Sequence, residues 1–244
     1  MLLESSPADN QLPDSQQPDG LLAPLWHTAV VVFVIVAASL AGARSAHTAT
    51  QHGKIAQYVS TMTLELLLTG FVYLGTRKRI TLRDLIGARW ALDEFLKDSG
   101  IAALFWILSM TALGIGAQLL HLDEGGKIDS MRRQLGFLVP GTTLELMVWC
   151  CLSVTAGICE EILFRGYLQR QLALVSRSML AGVLLSAVVF GAAHGYEGVP
   201  RMLLVGLFGL LLGLLAWWRK SLRPGMIAHA WHDALSGAVL RLLR

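Results

Sequence analysis

The chain alternates between long apolar runs and short polar segments. Most of these runs approach the roughly 20 residues that an α-helix needs to cross a bilayer. The pattern therefore predicts an all-α fold, a polytopic membrane helical bundle with about seven transmembrane helices. The predicted spans are residues 25–43, 55–75, 101–120, 140–158, 179–193, 202–218 and 224–243.

One segment has a different pattern. Between residues 80 and 98, apolar residues recur at helical spacing among charged ones, which is typical of an amphipathic helix in the membrane interface. We expect it to connect the second and third spans. Residues 1–22 are mostly polar and are expected to form a disordered tail. The chain then divides into this tail, an N-terminal group of helices (23–135) and a C-terminal helical core (136–244).

Two local signals refine the predicted helices. Thr142 and Glu145 have the spacing of a capping box, which predicts a helix start before the fourth span. Gly209 and Gly213 are four residues apart in the sixth span, and small residues on one helix face allow another helix to come close.

Composition supports the membrane assignment. Hydrophobic residues make up 54% of the chain and charged residues 15%, against roughly 25% charged residues in soluble domains. The lipid bilayer is therefore an expected partner. The net charge of +3 is spread over many loops, which excludes nucleic acid as a partner. Cys150, Cys151 and Cys159 share one apolar stretch, where we interpret them as small hydrophobic residues.

The distribution of basic residues predicts an orientation. Connections on one side of the predicted spans (76–99, 165–177 and 219–223) carry twelve Lys and Arg residues, and the opposite side carries eight. Because basic residues favour the cytoplasmic side, we expect a multi-pass integral membrane protein with a cytoplasmic N-terminus, in a bacterial inner membrane.

A charged stretch directly follows the apolar run that ends at Ile158. Ionisable groups beside hydrocarbon are costly and are retained mainly when they pair or carry chemistry. On a helix, Glu161 and Arg165 share a face, whereas Glu160 is turned about 100° away from Glu161. We therefore predict an ion pair between Glu161 and Arg165 that leaves Glu160 free.

Further ionisable residues lie in or at the edges of later spans. Phe190 and His194 are four residues apart, as are His229 and Asp233, so each pair can present its side chains to a shared cavity. A glutamate beside histidines in a water-poor pocket can take a proton from water and return it to a leaving amine. A hydrolase is one interpretation; each histidine taken alone can equally be a packing residue. Glu65, midway along the second span, can either pair with Arg165 or line the cavity.

The order of these residues adds a resemblance. Glu160-Glu161-x-x-x-Arg165, then Phe190-x-x-x-His194, then His229-x-x-x-Asp233 resembles the CPBP family, the type II CAAX prenyl endopeptidases and Abi proteins. The likeness covers roughly residues 140–244. It implies an intramembrane peptidase of the metalloprotease class, acting on a peptide or a prenylated protein. The implied catalytic residues are Glu160, Glu161, Arg165, His194, His229 and Asp233.

The resemblance also implies individual roles. Glu160 would activate the hydrolytic water, His194 would assist it, and His229 with its polar partner would steady the oxyanion. That partner is commonly Asn in the prenyl-protein proteases, whereas this chain has Asp233. An ionised Asp cannot donate a hydrogen bond, so Asp233 would have to be protonated, orient His229 or bind a metal; His232 is an alternative ligand.

Metal binding stays open at this point. Glu160, His194 and His229 are the candidate ligands for zinc or another divalent metal, with one open coordination position for water. A metal-free mechanism based on glutamate and water is the alternative.

The chain order poses a geometric problem for a shared site. Glu160 and His194 lie equally far from the turn at residue 177, but a full crossing by the sixth span would put His229 near the opposite membrane face. We therefore expect a re-entrant loop at 195–200 or strongly tilted spans. His194 and His229 must lie within about 12 Å of each other to act on one substrate.

The sequence thus predicts an endopeptidase that hydrolyses a peptide bond near the membrane surface. Two other functions fit the same helices. One is a non-catalytic scaffold or immunity protein of the same fold. The other is a proton-coupled transporter, in which the glutamate and histidines relay protons.

Overall fold

A computed structural model describes residues 20–45, 53–87, 91–120, 136 and 138–242. This part of the chain is helical and contains no strand. The helices are α1 (Leu25–Ser45), α2 (Lys54–Thr76), α3 (Leu82–Ile86), α4 (Leu92–Leu119), α5 (Thr143–Glu160), α6 (Gln169–Ser176), α7 (Met179–Ala193), α8 (Val199–Arg219) and α9 (Arg223–Leu242). A π-helical segment, Glu161–Leu168, joins α5 to α6, and a 3₁₀ turn, Gly195–Glu197, joins α7 to α8.

The all-α membrane architecture is confirmed, but the number of spans is not. Five continuous helical stretches in the described residues are long and apolar enough to cross a membrane: α1, α2, α4, α5 through α6, and α8. Helix α7 is apolar but shorter, and α9 is not among the five. Large apolar side chains such as Phe33, Leu108 and Trp218 project outward from these helices. An apolar exterior of this kind is suited to contact with lipid.

The amphipathic helix predicted over residues 80–98 is wrong as a single element. Helix α3 ends at Ile86, and α4 begins at Leu92 and continues into the membrane span. Gly87 has a φ of 77°, and a Cβ there would lie 2.5 Å from the backbone oxygen of Lys220. The chain therefore turns at Gly87 because only glycine combines this backbone conformation with such a close approach.

The fourth predicted span continues further than expected. Helix α5, the π-helical segment and α6 run without interruption from Thr143 to Ser176. The predicted cap is confirmed: the Thr142 side chain accepts from the Glu145 N–H, and the Glu145 carboxylate accepts from the Thr142 N–H. The π-helical segment holds the charged stretch, and such segments are frequent at functional sites.

Glycines allow the core helices to approach closely. A Cβ at Gly157 would lie 2.8 Å from the Met226 oxygen, and one at Gly191 would lie 2.8 Å from the Met202 oxygen. Helix α5 thus packs directly on α9, and α7 on α8. These contacts bring the chain segments that carry the charged residues into one bundle.

The N-terminal helix is tied to the core by a buried polar network. The Gln171 side chain accepts from the Leu22 N–H at 2.9 Å and donates to the Ala23 oxygen at 2.7 Å and to the Thr28 hydroxyl at 3.1 Å. Residues 1–19 of the predicted tail, the loop histidines His47, His52 and His121, and the loop at 121–135 lie outside the described residues.

Candidate active site

The ion pair predicted from spacing is present. One Arg165 nitrogen, Nη1, lies 2.8 Å from Glu161 Oε1, and both side chains are almost fully buried. The other, Nη2, donates to the Gly209 oxygen at 3.0 Å, and the guanidinium lies 4.3 Å from the centre of the Phe190 ring. Arg165 therefore joins the π-helical segment to α8 and α7.

The predicted glycine face on α8 makes these contacts possible. Arg165 reaches the carbonyl of Gly209, and the Gln169 side chain donates to the carbonyl of Gly213 at 3.1 Å. A Cβ at Gly213 would lie 2.8 Å from Gln169 Oε1. The two glycines thus admit buried polar side chains to the backbone of α8.

Glu160 is free of this ion pair, as predicted. Its side chain is 17% exposed, and its buried Oε2 makes no hydrogen bond among the described residues. The same oxygen lies 3.7 Å from His229 Nε2. An oxygen of this kind can accept a proton from a water molecule that enters the site.

His229 is held among three carboxylates. Its Nδ1 lies 3.2 Å from Glu161 Oε1, and its Nε2 lies 3.7 Å from Glu160 Oε2 and 3.6 Å from Asp233 Oδ2. Acidic groups thus face both ring nitrogens, which in the imidazolium form both carry a proton to donate. The Asp233 backbone oxygen also accepts a hydrogen bond from Trp149 at 2.9 Å, which fixes α9 against α5.

His194 lies at the more open side of the site. It caps α7 and is partly exposed, and its Nδ1 lies 3.0 Å from the Phe190 oxygen. When Nδ1 donates to that carbonyl, neutral His194 presents an unprotonated Nε2. That atom can accept a proton or a hydrogen bond.

The two imidazoles satisfy the distance condition for a shared site. The Phe190 ring centre lies 5.1 Å from that of His194 and 5.9 Å from that of His229. The imidazoles are therefore no further apart than the sum of these distances, which is below the limit of about 12 Å. His229 reaches this position because it lies beside Phe208, near the middle of α8, with ring centres 5.7 Å apart. The segment 195–200, where a re-entrant loop was expected, forms the 3₁₀ turn and the start of α8.

Glu65 lies within electrostatic range of the site, and Arg165 has a different partner. Glu65 is 7% exposed on α2, and its Oε2 has no hydrogen-bond partner among the described residues. It interacts electrostatically with Glu160 and Asp233, whereas Arg165 pairs with Glu161. The only feature of the sequence that pointed to Glu65 was its position midway along an apolar run. Its interaction with Glu160 and Asp233 joins helices that are distant in the chain, so local spacing does not reveal it.

His232, the alternative ligand, has different surroundings. Its ring packs on Phe208 with centres 4.8 Å apart, and its buried Nδ1 has no hydrogen-bond partner in the described part of the chain. The ring thus packs against α8, and His232 interacts electrostatically with His229.

The metal expectation names Glu160, His194 and His229 as ligands. The described residues contain no group of three or more His, Cys, Asp or Glu side chains arranged to hold a metal ion. Of the three candidates, Glu160 Oε2 and His229 Nε2 lie 3.7 Å apart, and the Phe190 ring contacts both histidines. The side chains present provide bases and hydrogen-bond donors.

The fold and the site together define a class: a helical membrane protein with a buried glutamate–histidine site formed by its C-terminal helices. Residues 142–235 match the family described as "Type II CAAX prenyl endopeptidase Rce1-like". This segment of the chain is therefore similar to that family of CAAX proteases. The family implies a peptidase. No curated protein and no solved structure matches the chain.

Proposed function

We propose that this protein is an intramembrane endopeptidase that hydrolyses a peptide bond near the membrane surface, with Glu160 as the general base. The observation that carries the proposal is the free Oε2 of Glu160, which lies in a buried site beside His229 and near His194. A carboxylate oxygen without a hydrogen-bond partner, on a mostly buried side chain, is available to bind and activate water.

The reaction needs two proton transfers. Glu160 removes a proton from water, and the water oxygen attacks the carbonyl carbon. The π electrons of the carbonyl move onto its oxygen, which becomes an oxyanion. The C–N bond then breaks as the carbonyl re-forms. The proton held by Glu160 passes to the leaving amine. His194, with Nε2 unprotonated, accepts a hydrogen bond from the same water.

The remaining polar residues position these groups. Glu161 accepts from both Arg165 and His229, and it thereby fixes the orientation of the imidazole. In this position, His229 presents Nε2 on the Glu160 side of the site, where it can donate to the oxyanion. Asp233 faces the same nitrogen and favours its protonated state through its charge.

The family points to the substrate class. A peptide or a prenylated protein C-terminus would enter from the membrane and reach the partly exposed His194. We place the protein in a bacterial inner membrane with a cytoplasmic N-terminus, which agrees with the excess of Lys and Arg in the connections at 76–99, 165–177 and 219–223. The involvement of zinc or another divalent ion is tested by assaying purified protein with and without a chelator.

Processing of a reporter tests the proposal. Full-length protein in proteoliposomes should cleave a CAAX peptide, either prenylated or unprenylated. The substitutions Glu160→Ala and His194→Ala should each abolish this cleavage while the protein remains folded. Asp93→Asn, at an exposed residue that pairs with Lys97, is the control and should cleave normally. Unchanged processing by Glu160→Ala would refute the peptidase assignment.

One observation favours a second candidate. Glu65, Glu160, Asp233 and His229 form an interacting chain of titratable groups between helices, as a proton-coupled transporter would require. In that case the Glu160 variant would lose proton-driven uptake into vesicles while no peptide would be cleaved by the native protein. A scaffold or immunity protein would show neither activity.

A further inference from the structure

Hydrolysis at this site requires hydrogen-bond donors for an oxyanion, and among the predicted catalytic residues His229 is the clearest candidate. The tetrahedral intermediate carries a negative oxygen, and such oxyanions are stabilised by preorganised donors, commonly more than one. His229 Nε2 can supply one donor. Asp233, the other residue at the expected position, accepts hydrogen bonds when ionised and cannot donate them.

Several other donors of the site already have partners. Arg165 uses Nη1 for Glu161 and Nη2 for the Gly209 oxygen. The Trp149 indole donates to the backbone oxygen of Asp233. His194 uses Nδ1 for the Phe190 oxygen. A second donor to the oxyanion can come from a residue outside the predicted catalytic set.

Tyr196 lies beside His194. It follows His194 in the 3₁₀ turn, and the centres of the two rings are 5.9 Å apart, with their planes inclined by 33°. The Tyr196 phenol interacts electrostatically with Glu160 and Asp233, and with its neighbour Glu197. Tyr196 therefore lies at the His194 side of the site, within electrostatic range of the two carboxylates.

The phenol is suited to donate. Burial, with the nearby Glu197 carboxylate, raises the pKa of Tyr196 well above its ordinary value, so the hydroxyl keeps its proton at neutral pH. A hydroxyl hydrogen can rotate about the C–O bond. It can therefore turn from Glu197 towards an oxyanion as negative charge develops there.

Helix α1 holds the turn that carries Tyr196. A Cβ at Gly42 would lie 3.6 Å from the Tyr196 ring, which is ordinary van der Waals contact. The Ser39 hydroxyl donates to the Ala192 oxygen at 2.9 Å, at the end of α7. Both contacts come from a helix outside the segment that matches the family.

We propose that Tyr196 is a further catalytic residue, whose hydroxyl donates a hydrogen bond to the oxyanion opposite His229. This inference rests on the proposed peptidase function. It also assigns a role to α1: the helix supports the ring of Tyr196 so that its hydroxyl faces the reacting carbonyl.

Tyr196→Phe tests the inference, because it removes the hydroxyl and keeps the ring. We expect kcat to fall about 100-fold or more, as for loss of one oxyanion donor, with KM little changed. A peptide phosphonate, which mimics the tetrahedral intermediate, should bind the variant more weakly by a similar factor. An uncleavable peptide should bind both proteins equally. Tyr73→Phe, at an exposed tyrosine on α2, is the matched control and should leave kcat unchanged.

A second variant covers the case in which Tyr196→Phe is poorly folded. Gly42→Leu adds a side chain where the Tyr196 ring packs, and it should lower kcat in the native background but have little further effect in the Tyr196→Phe background. If the native protein cleaves the peptide and Tyr196→Phe cleaves it equally fast, the inference is wrong and the peptidase function stands. If the native protein cleaves no peptide but binds the phosphonate no better than the uncleavable peptide, the proposed function itself fails.

Discussion

Glu160 and Glu161 are adjacent in the sequence but have different surroundings. Glu161 faces Arg165 and His229 and is fully buried. Glu160 is turned to the side that remains partly open, and one of its oxygens has no hydrogen-bond partner in the described structure. The spacing of Glu161 and Arg165 was sufficient to predict this division. The third partner, His229, could not be predicted from local spacing because it is 68 residues further along the chain.

The substitution Arg165→Met tests the structural role of the buried ion pair. This substitution leaves Glu161 as a buried carboxylate without its cation, which typically costs about 3–5 kcal/mol. The double variant Glu161→Leu with Arg165→Met removes both charges and should be more stable than Arg165→Met alone. Thermal unfolding in detergent measures both effects. A single variant as stable as the native protein would contradict a structural role for the ion pair.

At the scale of elements, close contacts between helices depend on individual residues, whereas the apolar pattern only locates the helices. A Cβ at Gly209 would lie 2.7 Å from the Phe190 ring and 3.3 Å from Arg165 Nη2, whereas a Cβ at Gly206 would meet its nearest atom at 3.7 Å. Gly209→Ala should therefore destabilise the protein by about 1–3 kcal/mol, as overpacking does, and reduce cleavage by displacing Arg165 and Phe190.

The neighbouring glycine gives a matched control. Gly206→Ala places the same methyl group on the same helix with room to spare, and it should leave stability and cleavage close to native values. Thermal unfolding and reporter cleavage of the two variants, measured side by side, check the prediction. Equal effects of the two substitutions would mean that the glycine face of α8 has no special steric role.

The elements also show which features the sequence can predict. Apolar length located five described helical stretches that can cross a membrane, but it also predicted spans at α7 and α9, which are not among the five. Residue spacing located the cap at Thr142 and the small face on α8. The break at Gly87 was missed because it depends on Lys220, a contact between distant segments. The π-helical segment was missed because residue spacing alone does not reveal a change of helical hydrogen bonding. Spacing left two roles open for Glu65 and gave none to Tyr196, because their neighbours at the site come from helices distant in the chain.

At the scale of the whole molecule, the site depends on helices outside the family segment. Helix α2 contributes Glu65, which interacts with Glu160, and α1 contacts the turn that carries Tyr196. The link between α1 and the core passes through Gln171, which is fully buried. The segment that matches the family therefore interacts with both α1 and α2 through buried polar residues.

Gln171→Leu tests this coupling. The substitution leaves the Leu22 N–H and the Ala23 oxygen, both buried, without their partner, and each unsatisfied group costs about 1–3 kcal/mol. We expect a clear loss of thermal stability and a fall in kcat, because α1 would no longer hold Tyr196 in place. Gln118→Leu, at an exposed position on α4, should change neither quantity. If Gln171→Leu lowers stability but leaves kcat unchanged at a temperature where the protein is folded, then the N-terminal helices stabilise the bundle without positioning the site.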